Sequence, residues 1–343
     1  MTDYKYSFAN DYSELAHPEI IEAFAAVGAA QFVGYGEDEH CQEAVRLIRT
    51  ALDMPDADVH FSSGGTQANL IVLSALMRPF EAVIAMTLGH INTHETGAIE
   101  ATGHKVFSVP GVDGKLLPSA IQQAVDYHSD EHMVKPRVVY ISQSTELGSV
   151  YTRDELAAIS ECCRANGLYL YVDGARLGAA INSAASDLDY ASFARLVDAF
   201  YIGGTKNGAM YGEAIVICRD ELKPDFRFFL KQRGALLGKV AAMGIQFKAL
   251  FADGLYDRLA QHANYQGARL ASGLTALGYE FLCPPETNQV FPILPTETAL
   301  RLHELYDFHD WEEIGDKTVV RFVASWATPP EMVDLLLADL AEL

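Results

Sequence analysis

The chain has 343 residues, half of them hydrophobic, and its formal charge is −21 because 46 acidic side chains outnumber 25 basic ones. The length supports a substantial core and more than one domain, and the acidic excess without long basic clusters argues against a nucleic-acid partner. No apolar run approaches the roughly 20 residues that span a bilayer, so we expect no membrane partner.

The cysteines and the N-terminus concern the cellular compartment. The five cysteines are odd in number, and the close pair Cys162 and Cys163 is adjacent, which suggests neither a disulfide framework nor a metal site. The polar N-terminus lacks the basic start and apolar stretch of a signal peptide. We therefore expect a soluble cytoplasmic protein with reduced thiols and no bound metal.

The elements in chain order predict an α/β protein with a smaller second domain. Residues 1–15 are irregular and predict an arm that reaches the active site or a neighbouring subunit. Residues 16–245 alternate short apolar runs with helical segments, which is typical of a wound, mostly parallel sheet covered on both faces. The predicted strands are Ala82–Met86, Lys105–Val109, Arg137–Ser142, Leu168–Asp173, Ala199–Gly203 and Ala214–Cys218, and the predicted helices are Thr66–Met77, Thr93–Thr102, Pro118–His128, Arg153–Asn166 and Tyr190–Leu196.

The pattern changes beyond residue 245. One long helix is predicted from Phe247 to Leu277, and shorter elements follow it. We therefore expect residues 246–343 to form a small antiparallel α+β domain, with a boundary near residue 245. The predicted elements after the long helix are strands at Tyr279–Cys283, Val290–Leu294 and Val319–Ala324, a helix at Glu297–Leu305 and a terminal helix from Pro330.

A glycine-rich turn joins an extended run ending near Phe61 to an apolar helix. Gly64 and Gly65 allow backbone N–H groups to approach an anion, the helix N-terminus adds favourable partial charge, and Thr66 adds a hydroxyl donor. A plain helix N-terminus accounts for the local sequence equally well. The turn is therefore a candidate phosphate site.

Two charged residues follow predicted strands, at the edge where open α/β sheets bind ligands. Asp173 could ion-pair with a protonated pyridine nitrogen, or it could close a turn with Arg176. Lys206 lies in a glycine-rich turn bounded by apolar residues, where an amine could bind an aldehyde cofactor covalently. Considered by itself, Lys206 also fits the description of an ordinary lysine in a loop.

The order of these motifs resembles the fold-type I pyridoxal-phosphate enzymes. More closely, the whole chain resembles the threonine aldolase family of the aromatic amino acid β-eliminating lyase group. The resemblance implies a large wound α/β domain, a small C-terminal α+β domain, and a homodimer or homotetramer with shared active sites. The residues that carry it are Tyr35–Asp38, Ser63–Asn69, His90 with Glu95–Ala98, Asp173–Arg176, Thr205–Gly208 and Val320–Val323.

The resemblance also implies roles for single residues. Lys206 would bind pyridoxal 5'-phosphate covalently, and His90 would stack on its ring. Arg321, in an apolar strand where a charge needs a partner anion, would hold a substrate carboxylate in a bidentate grip, together with Arg176. The residues that the resemblance assigns to cofactor binding are Gly64, Gly65, Thr66, His90, Asp173, Arg176, Lys206 and Lys239.

The implied reaction is cleavage of a β-hydroxy-α-amino acid, such as threonine, allo-threonine or phenylserine, to glycine and an aldehyde. A base must remove the β-hydroxyl proton. His90 is the first candidate for this base, followed by Glu95 and His94, which sequence spacing cannot rank. Two other functions stay open: a β-eliminating lyase of an aromatic or sulfur amino acid, and a small-molecule binding protein without catalysis.

Three segments depart from the usual pattern of the family. Many members have Ser-Lys-Gly at the cofactor lysine, whereas this chain has Thr205 before it and Asn207 after it. The N-terminal Ser-Asp motif is replaced by a segment in which Asn10 is the candidate substrate contact. The basic residue that reaches the phosphate from a neighbouring subunit is predicted to be Lys239, with Arg233 second, although both fit solvated helix charges equally well.

Overall fold

The computed structural model describes residues 4–343, and its centre is a seven-stranded sheet. The antiparallel member is Glu213–Ile217, and the other strands run parallel to one another. The predicted strands of this sheet are therefore confirmed, together with the extended run before the glycine-rich turn. The strand order is Asp58–Ser62, Glu213–Ile217, Ala199–Gly203, Tyr169–Asp173, Lys135–Ser142, Glu81–Met86 and Lys105–Val109.

Alternation along the central strands divides their side chains between the two faces of the sheet. Tyr140, Tyr171 and Tyr201 lie on one face, where they pack with the helix Gly65–Leu76. The intervening residues, such as Val172, pack on the other face. Both faces are covered, which explains why three whole strands are buried: Glu81–Met86, Ala199–Gly203 and Glu213–Ile217.

Helices surround this sheet and supply the rest of the large core. The helix Glu39–Leu52 packs against Ala241–Ala252 beside the sheet. The remaining α-helices of this part are Pro18–Val27, Gly65–Leu76, His90–Thr93, Pro118–Tyr127, Arg153–Ala165, Leu177–Ile181, Tyr190–Ala194 and Phe226–Gln232, and short 3-10 turns lie at Glu100–Thr102 and Asp220–Leu222.

A second sheet of five strands forms the C-terminal part, with its own apolar cluster. The central strand Lys317–Val323 pairs with Gln289–Val290, Pro292–Pro295 and His309–Ile314, all antiparallel. Glu280–Phe281 pairs with Pro292–Pro295. The helices of this part are Leu255–Ala276, Thr296–His303 and Pro330–Glu342.

The predicted helix Thr93–Thr102 is wrong. The α-helix ends at Thr93, and the chain then turns through Thr96 and Gly97, whose φ angles of 53° and 69° are left-handed. A right-handed helix cannot continue through this conformation. The segment instead becomes a turn that brings Glu95 back beneath His90.

The long helix predicted from Phe247 to Leu277 is also wrong, because it is two helices that meet at Asp253 and Gly254. Gly254 has a φ angle of 69°, a left-handed conformation that favours glycine. The strand His309–Ile314 was not predicted, because most of its side chains are exposed and charged and the strand has no continuous apolar face.

The predicted domain boundary near residue 245 stays a prediction. It falls inside the helix Ala241–Ala252, whose Phe247 and Leu250 belong to the large core. The next helix contributes Leu259 to the large core and Leu270 to the small one. One helix therefore contributes to both cores.

The first three residues of the N-terminal arm lie outside the described part of the chain. The rest of the arm lies beside the C-terminal part. Its strand Tyr6–Ser7 pairs in parallel with Tyr306–Asp307. Among residues 4–343, no helix combines the length and apolar character needed to cross a membrane. All five cysteines are free thiols.

Candidate active site

A cavity of about 710 Å³ opens where the carboxyl ends of the parallel strands face the small sheet. Its wall contains side chains from the arm, the large core and the strand His309–Ile314. Open α/β sheets bind their ligands at this edge. The predicted site residues that line it are His90, Arg176, Lys206 and Arg321, together with the third candidate base His94.

Lys206 lies in the turn after the strand Ala199–Gly203 and is half-buried. Its Nζ stands 5.9 Å from the ring centroid of Tyr12, which comes from the arm. Burial and the charge of Arg176 lower the pKa of Lys206, against the opposing charges of Asp11 and other carboxylates. A lowered pKa increases the neutral fraction of an amine, which is the nucleophilic form.

Asp173 ends the strand Tyr169–Asp173 and is buried beneath the cavity. Its carboxylate accepts hydrogen bonds from the hydroxyls of Tyr140 (2.7 Å) and Tyr201 and from the backbone N–H of Ala175 (3.0 Å). Burial raises the pKa of Asp173, but the proximity of His90 and these hydrogen bonds outweigh it and lower the pKa below its usual value. The carboxylate is therefore held as an anion.

A buried hydrogen-bond chain connects Asp173 to His90. Asn69 donates to Glu95 Oε1 at 2.7 Å and to Asp173 Oδ2 at 3.2 Å, while its own oxygen accepts from Tyr171. His90 Nδ1 lies 2.8 Å from the same Glu95 oxygen. The Glu95 side chain has no exposed surface and does not line the cavity, so it orients His90 from below.

The two predicted arginines differ in their partners. Arg176 donates from Nε and Nη2 to Asp11, at 2.7 and 3.0 Å, in a bidentate pair. Arg321 donates from Nη2 to the carbonyl of Ala9, and its buried Nε has no hydrogen-bond partner within the described chain. Burial and the charge of Arg176 lower the pKa of Arg321. Arg321 thus presents the less satisfied guanidinium to the cavity.

The glycine-rich turn begins the helix Gly65–Leu76, and no side chain among the described residues caps this N-terminus. A Cβ on Gly64 would meet no atom within 4 Å, whereas one on Gly65 would stand 2.7 Å from the Tyr201 hydroxyl. Thr66 is exposed. Gln67 holds the turn by accepting from Ser63, a contact that the sequence analysis missed.

Several predicted contacts do not line the cavity: Asp173 and Glu95 lie beneath it, and the others outside its wall are Gly64, Gly65, Thr66, Asn10, Lys239 and Arg233. Asn10 accepts hydrogen bonds within the arm, from the backbone of Tyr12 and the hydroxyl of Ser13. Lys239 is exposed in the segment before the helix Ala241–Ala252. Arg233 accepts a hydrogen bond from Gln67 through its backbone carbonyl. The roles of these residues stay predictions.

Glu146 is a cavity residue that the sequence analysis missed. Its Oε1 accepts from the hydroxyl of Ser142 at 2.7 Å and from the backbone N–H of His90 at 2.9 Å. Burial raises the pKa of Glu146, and the charge of Asp173 adds to this. Its position shortly after the strand Lys135–Ser142, at the same sheet edge as Asp173, was the available signal.

Solved structures identify the fold and the family. Aspartate aminotransferase of Thermus thermophilus superposes with a TM-score of 0.74 at 17% identity, over 99% of this chain and 92% of that one. The fold is therefore that of the fold-type I pyridoxal-phosphate enzymes. The solved threonine aldolase of Leishmania major has a TM-score of 0.96 and 48% identity, over 98% of this chain and 99% of that one.

Sequence relatives agree with this structural neighbour. The family model for β-eliminating lyases matches residues 14–296. The low specificity L-threonine aldolase of Pseudomonas sp. strain NCIMB 10558 is 36% identical, over 99% of this chain and 98% of that one, and the Pseudomonas aeruginosa protein of the same name is 35% identical over the same shares. The chain belongs to the β-eliminating lyase family and, within it, to the threonine aldolases.

Proposed function

We propose that the protein is a pyridoxal-phosphate-dependent aldolase that cleaves a β-hydroxy-α-amino acid to glycine and an aldehyde. The observation that carries the proposal is the meeting of Lys206, His90 and Arg321 around one cavity. These side chains provide an amine, a proton acceptor and an anion-binding group, which the reaction requires. The full-length similarity to threonine aldolases selects this reaction from those that such a cavity allows.

The residues present fit pyridoxal phosphate. Asp173 is an anion buried among tyrosines without a basic side chain hydrogen-bonded to it in the described chain, which suits a protonated pyridine nitrogen. The uncapped helix N-terminus with open space at Gly64 suits a phosphate. Lys206 would hold the aldehyde carbon, and His90 would cover the ring.

Arg321 would bind the substrate carboxylate. A planar guanidinium grips a carboxylate through two hydrogen bonds, and its partnerless Nε is one of the donors this requires. Arg176, already paired with Asp11, would add positive charge and would keep the same wall rigid. Fixing the carboxylate orients the Cα–Cβ bond for cleavage. When bound, pyridoxal phosphate supplies the electron sink for that bond.

His90 would accept the β-hydroxyl proton, directly or through a water molecule. The hydrogen bond between Nδ1 and Glu95 leaves Nε2 as the ring nitrogen for this proton. His94 lines the same wall, and the two ring centroids are 5.4 Å apart. Burial lowers the pKa of His94, and the neighbouring His90, Arg321 and Lys206 add to this, which favours its neutral form. Glu95 would support His90 from beneath the cavity.

The proposed assembly is a homodimer or homotetramer in which Lys239 reaches the phosphate of a neighbouring copy. Thr66 and Lys239 are both exposed in the single chain, and this exposure supports the proposal. Light scattering coupled to size-exclusion chromatography tests it. A monomer with full activity would contradict the shared active site.

A product assay tests the reaction. Purified protein with pyridoxal phosphate is incubated with threonine, allo-threonine or phenylserine, and glycine and the aldehyde are quantified. We expect these two products in equal amounts. Pyruvate and ammonia from an aromatic or sulfur amino acid would instead identify a β-eliminating lyase. A protein that binds the cofactor and releases no product would be a binding protein.

A further inference from the structure

A second buried carboxylate lies behind Lys206 and is absent from the mechanism above. Glu213 begins the antiparallel strand Glu213–Ile217, between Gly203 and Ser62 of the neighbouring strands. Its residue surface is 4% exposed. Because this strand runs opposite to its neighbours, its first residue lies at the edge where the parallel strands end. That edge also carries Lys206.

The carboxylate of Glu213 holds the two residues that precede Lys206. Oε2 accepts the backbone N–H of Gly204 at 2.8 Å, and Oε1 accepts the hydroxyl of Thr205 at 2.8 Å. The backbone N–H of Gly212 donates in turn to the Thr205 hydroxyl at 3.1 Å. Each carboxylate oxygen therefore has a donor from the turn that carries the lysine.

The turn has little freedom to move away from these contacts. A Cβ on Gly204 would stand 2.6 Å from the carbonyl oxygen of Gly212, so the two backbones touch. On the other side of the lysine, Asn207 donates to the carbonyl of Tyr256 at 2.7 Å. Thr205 and Asn207, the residues that depart from the usual family motif, are thus the anchors on either side of Lys206.

Glu213 and Lys206 also interact through charge. Burial raises the pKa of Glu213 to about 7, against the opposing effects of the Thr205 and Gly204 hydrogen bonds and the charge of Lys206. The charge of Glu213 favours the protonated amine of Lys206. The other titratable groups facing Glu213 are Asp173, Tyr171, Tyr201 and Tyr256.

We propose that Glu213 is a positioning residue for Lys206, holding the turn through Gly204 and Thr205 and favouring the protonated amine through its negative charge. The importance of this contact for catalysis rests on the proposed function. The coupling between the carboxylate and the amine is a property of the chain itself. It can be measured without the cofactor.

The test measures how fast Lys206 is acetylated by trace acetic anhydride in the cofactor-free, full-length protein between pH 5 and 11. Peptide mass spectrometry reports the rate at this one lysine. In the wild type, ionisation of Glu213 should produce a shoulder near pH 7 in the logarithm of the rate. The shoulder arises because the new negative charge makes the amine harder to deprotonate.

Glu213→Gln should remove the shoulder and lower the midpoint of acetylation, because the amine loses a carboxylate that favours its protonated form. Thr205→Val keeps the charge and removes one hydrogen bond, so its midpoint should stay closer to the wild-type value than that of Glu213→Gln does. Glu81→Gln, a buried carboxyl at the opposite edge of the sheet, should leave the profile unchanged.

An unchanged midpoint in folded Glu213→Gln would overturn the proposal, because it would show that the negative charge of Glu213 does not favour the protonated amine of Lys206. If Glu213→Gln does not fold, the wild type decides the matter by itself, because its profile should show the shoulder near pH 7. A smooth profile in the wild type would overturn the proposal equally.

Reconstituted protein gives a second measurement. The pH midpoint of the visible absorbance of bound pyridoxal phosphate should fall in Glu213→Gln relative to the wild type, because one negative charge near the amine is lost. If no visible band forms in the wild type, the proposed function fails. The acetylation profile then still decides the coupling between Glu213 and Lys206.

Discussion

The guanidinium of Arg176 and the carboxylate of Asp11 form a bidentate ion pair that joins the N-terminal arm to the end of a central strand. The two side chains are 13% and 2% exposed. Asn288, from the small part, donates to the same carboxylate at 3.0 Å. Asp11 therefore connects the N-terminal arm, the large core and the C-terminal part at the cavity wall.

Replacing Asp11 by Ala should destabilise the protein by about 3–5 kcal/mol, because it leaves a buried guanidinium without its partner. Urea unfolding of the cofactor-loaded protein measures the change. Lys5→Ala provides the control, since it breaks the more exposed pair with Asp339 but leaves Asp339 to accept from Tyr306, and it should cost under about 1 kcal/mol. Equal losses in the two variants would contradict the importance of the Asp11 pair.

The same pair predicts a loss of stability in acid. Burial raises the pKa of Asp11, but the charges of Arg176 and Lys206 outweigh it and lower the pKa below its usual value. A carboxyl with a lowered folded-state pKa stabilises the protein above its unfolded pKa, and this contribution is lost as the pH falls through the folded value. The difference in unfolding free energy between wild type and Asp11→Asn should therefore shrink below about pH 4.

Arg321→Ala should raise KM by about 10- to 100-fold, because a hydrogen bond to a charged group contributes roughly 1.5–3 kcal/mol. A smaller fall in kcat should accompany it, since an unanchored carboxylate lets the Cα–Cβ bond rotate away. Steady-state kinetics with the amino acid substrate measures both. Arg301→Ala, at a surface position, is the control. An unaltered KM in Arg321→Ala would reject its carboxylate role.

Lys206→Ala should abolish turnover and the visible absorbance of covalently bound pyridoxal phosphate. The physical reason is the loss of the amine that captures the aldehyde. Borohydride reduction followed by peptide mapping should place the label on Lys206 in the wild type. Lys105→Ala, at an exposed strand position, should keep both activity and label. Normal turnover in Lys206→Ala would reject the assignment.

Glu95→Gln should lower kcat by about 10-fold or more, because a displaced proton acceptor loses part of the 10²–10⁴-fold that acid–base catalysis contributes. The amide can donate as well as accept, so the shared contact with Asn69 and His90 is disturbed. The pH profile of kcat should shift with it, which a general loss of folding would not cause. An unchanged profile and rate would leave Glu95 without a supporting role.

Glu213 should make the protein less stable as the pH rises from about 4.5 to 7. Burial raises its pKa to about 7 from the usual value of 4.5, so between these values the folded state binds a proton that the unfolded state releases. The unfolding free energy falls by about 3 kcal/mol in total over this window and does not change further above it. Relative to wild type, Glu213→Gln should therefore gain about 2–3 kcal/mol between pH 5 and pH 8. An equal difference at both pH values would contradict this buried titration.

Most strands of the seven-stranded sheet could be predicted from local sequence patterns. The apolar runs are the central strands because only strands buried on both faces lack polar positions. Asp173 and Lys206 were recognisable because charges at the ends of such strands lie at the ligand-binding edge. Thr96 and Gly97 were misassigned to a helix, because a single glycine inside a helical pattern is a weak turn signal and a threonine gives none for a left-handed φ angle.

The sequence by itself determined the strands, the candidate lysine and the motif order that indicates the family. Only the tertiary structure decided that Asp11 forms an ion pair with Arg176. It also decided that Glu95 lies beneath His90 and that Glu213 holds the turn that carries Lys206. Periodicity is a local property, whereas the contact between Asp11 and Arg176 joins residues 165 positions apart. Such partners are selected by the packing of whole strands and helices, which brings their side chains to one edge of the sheet.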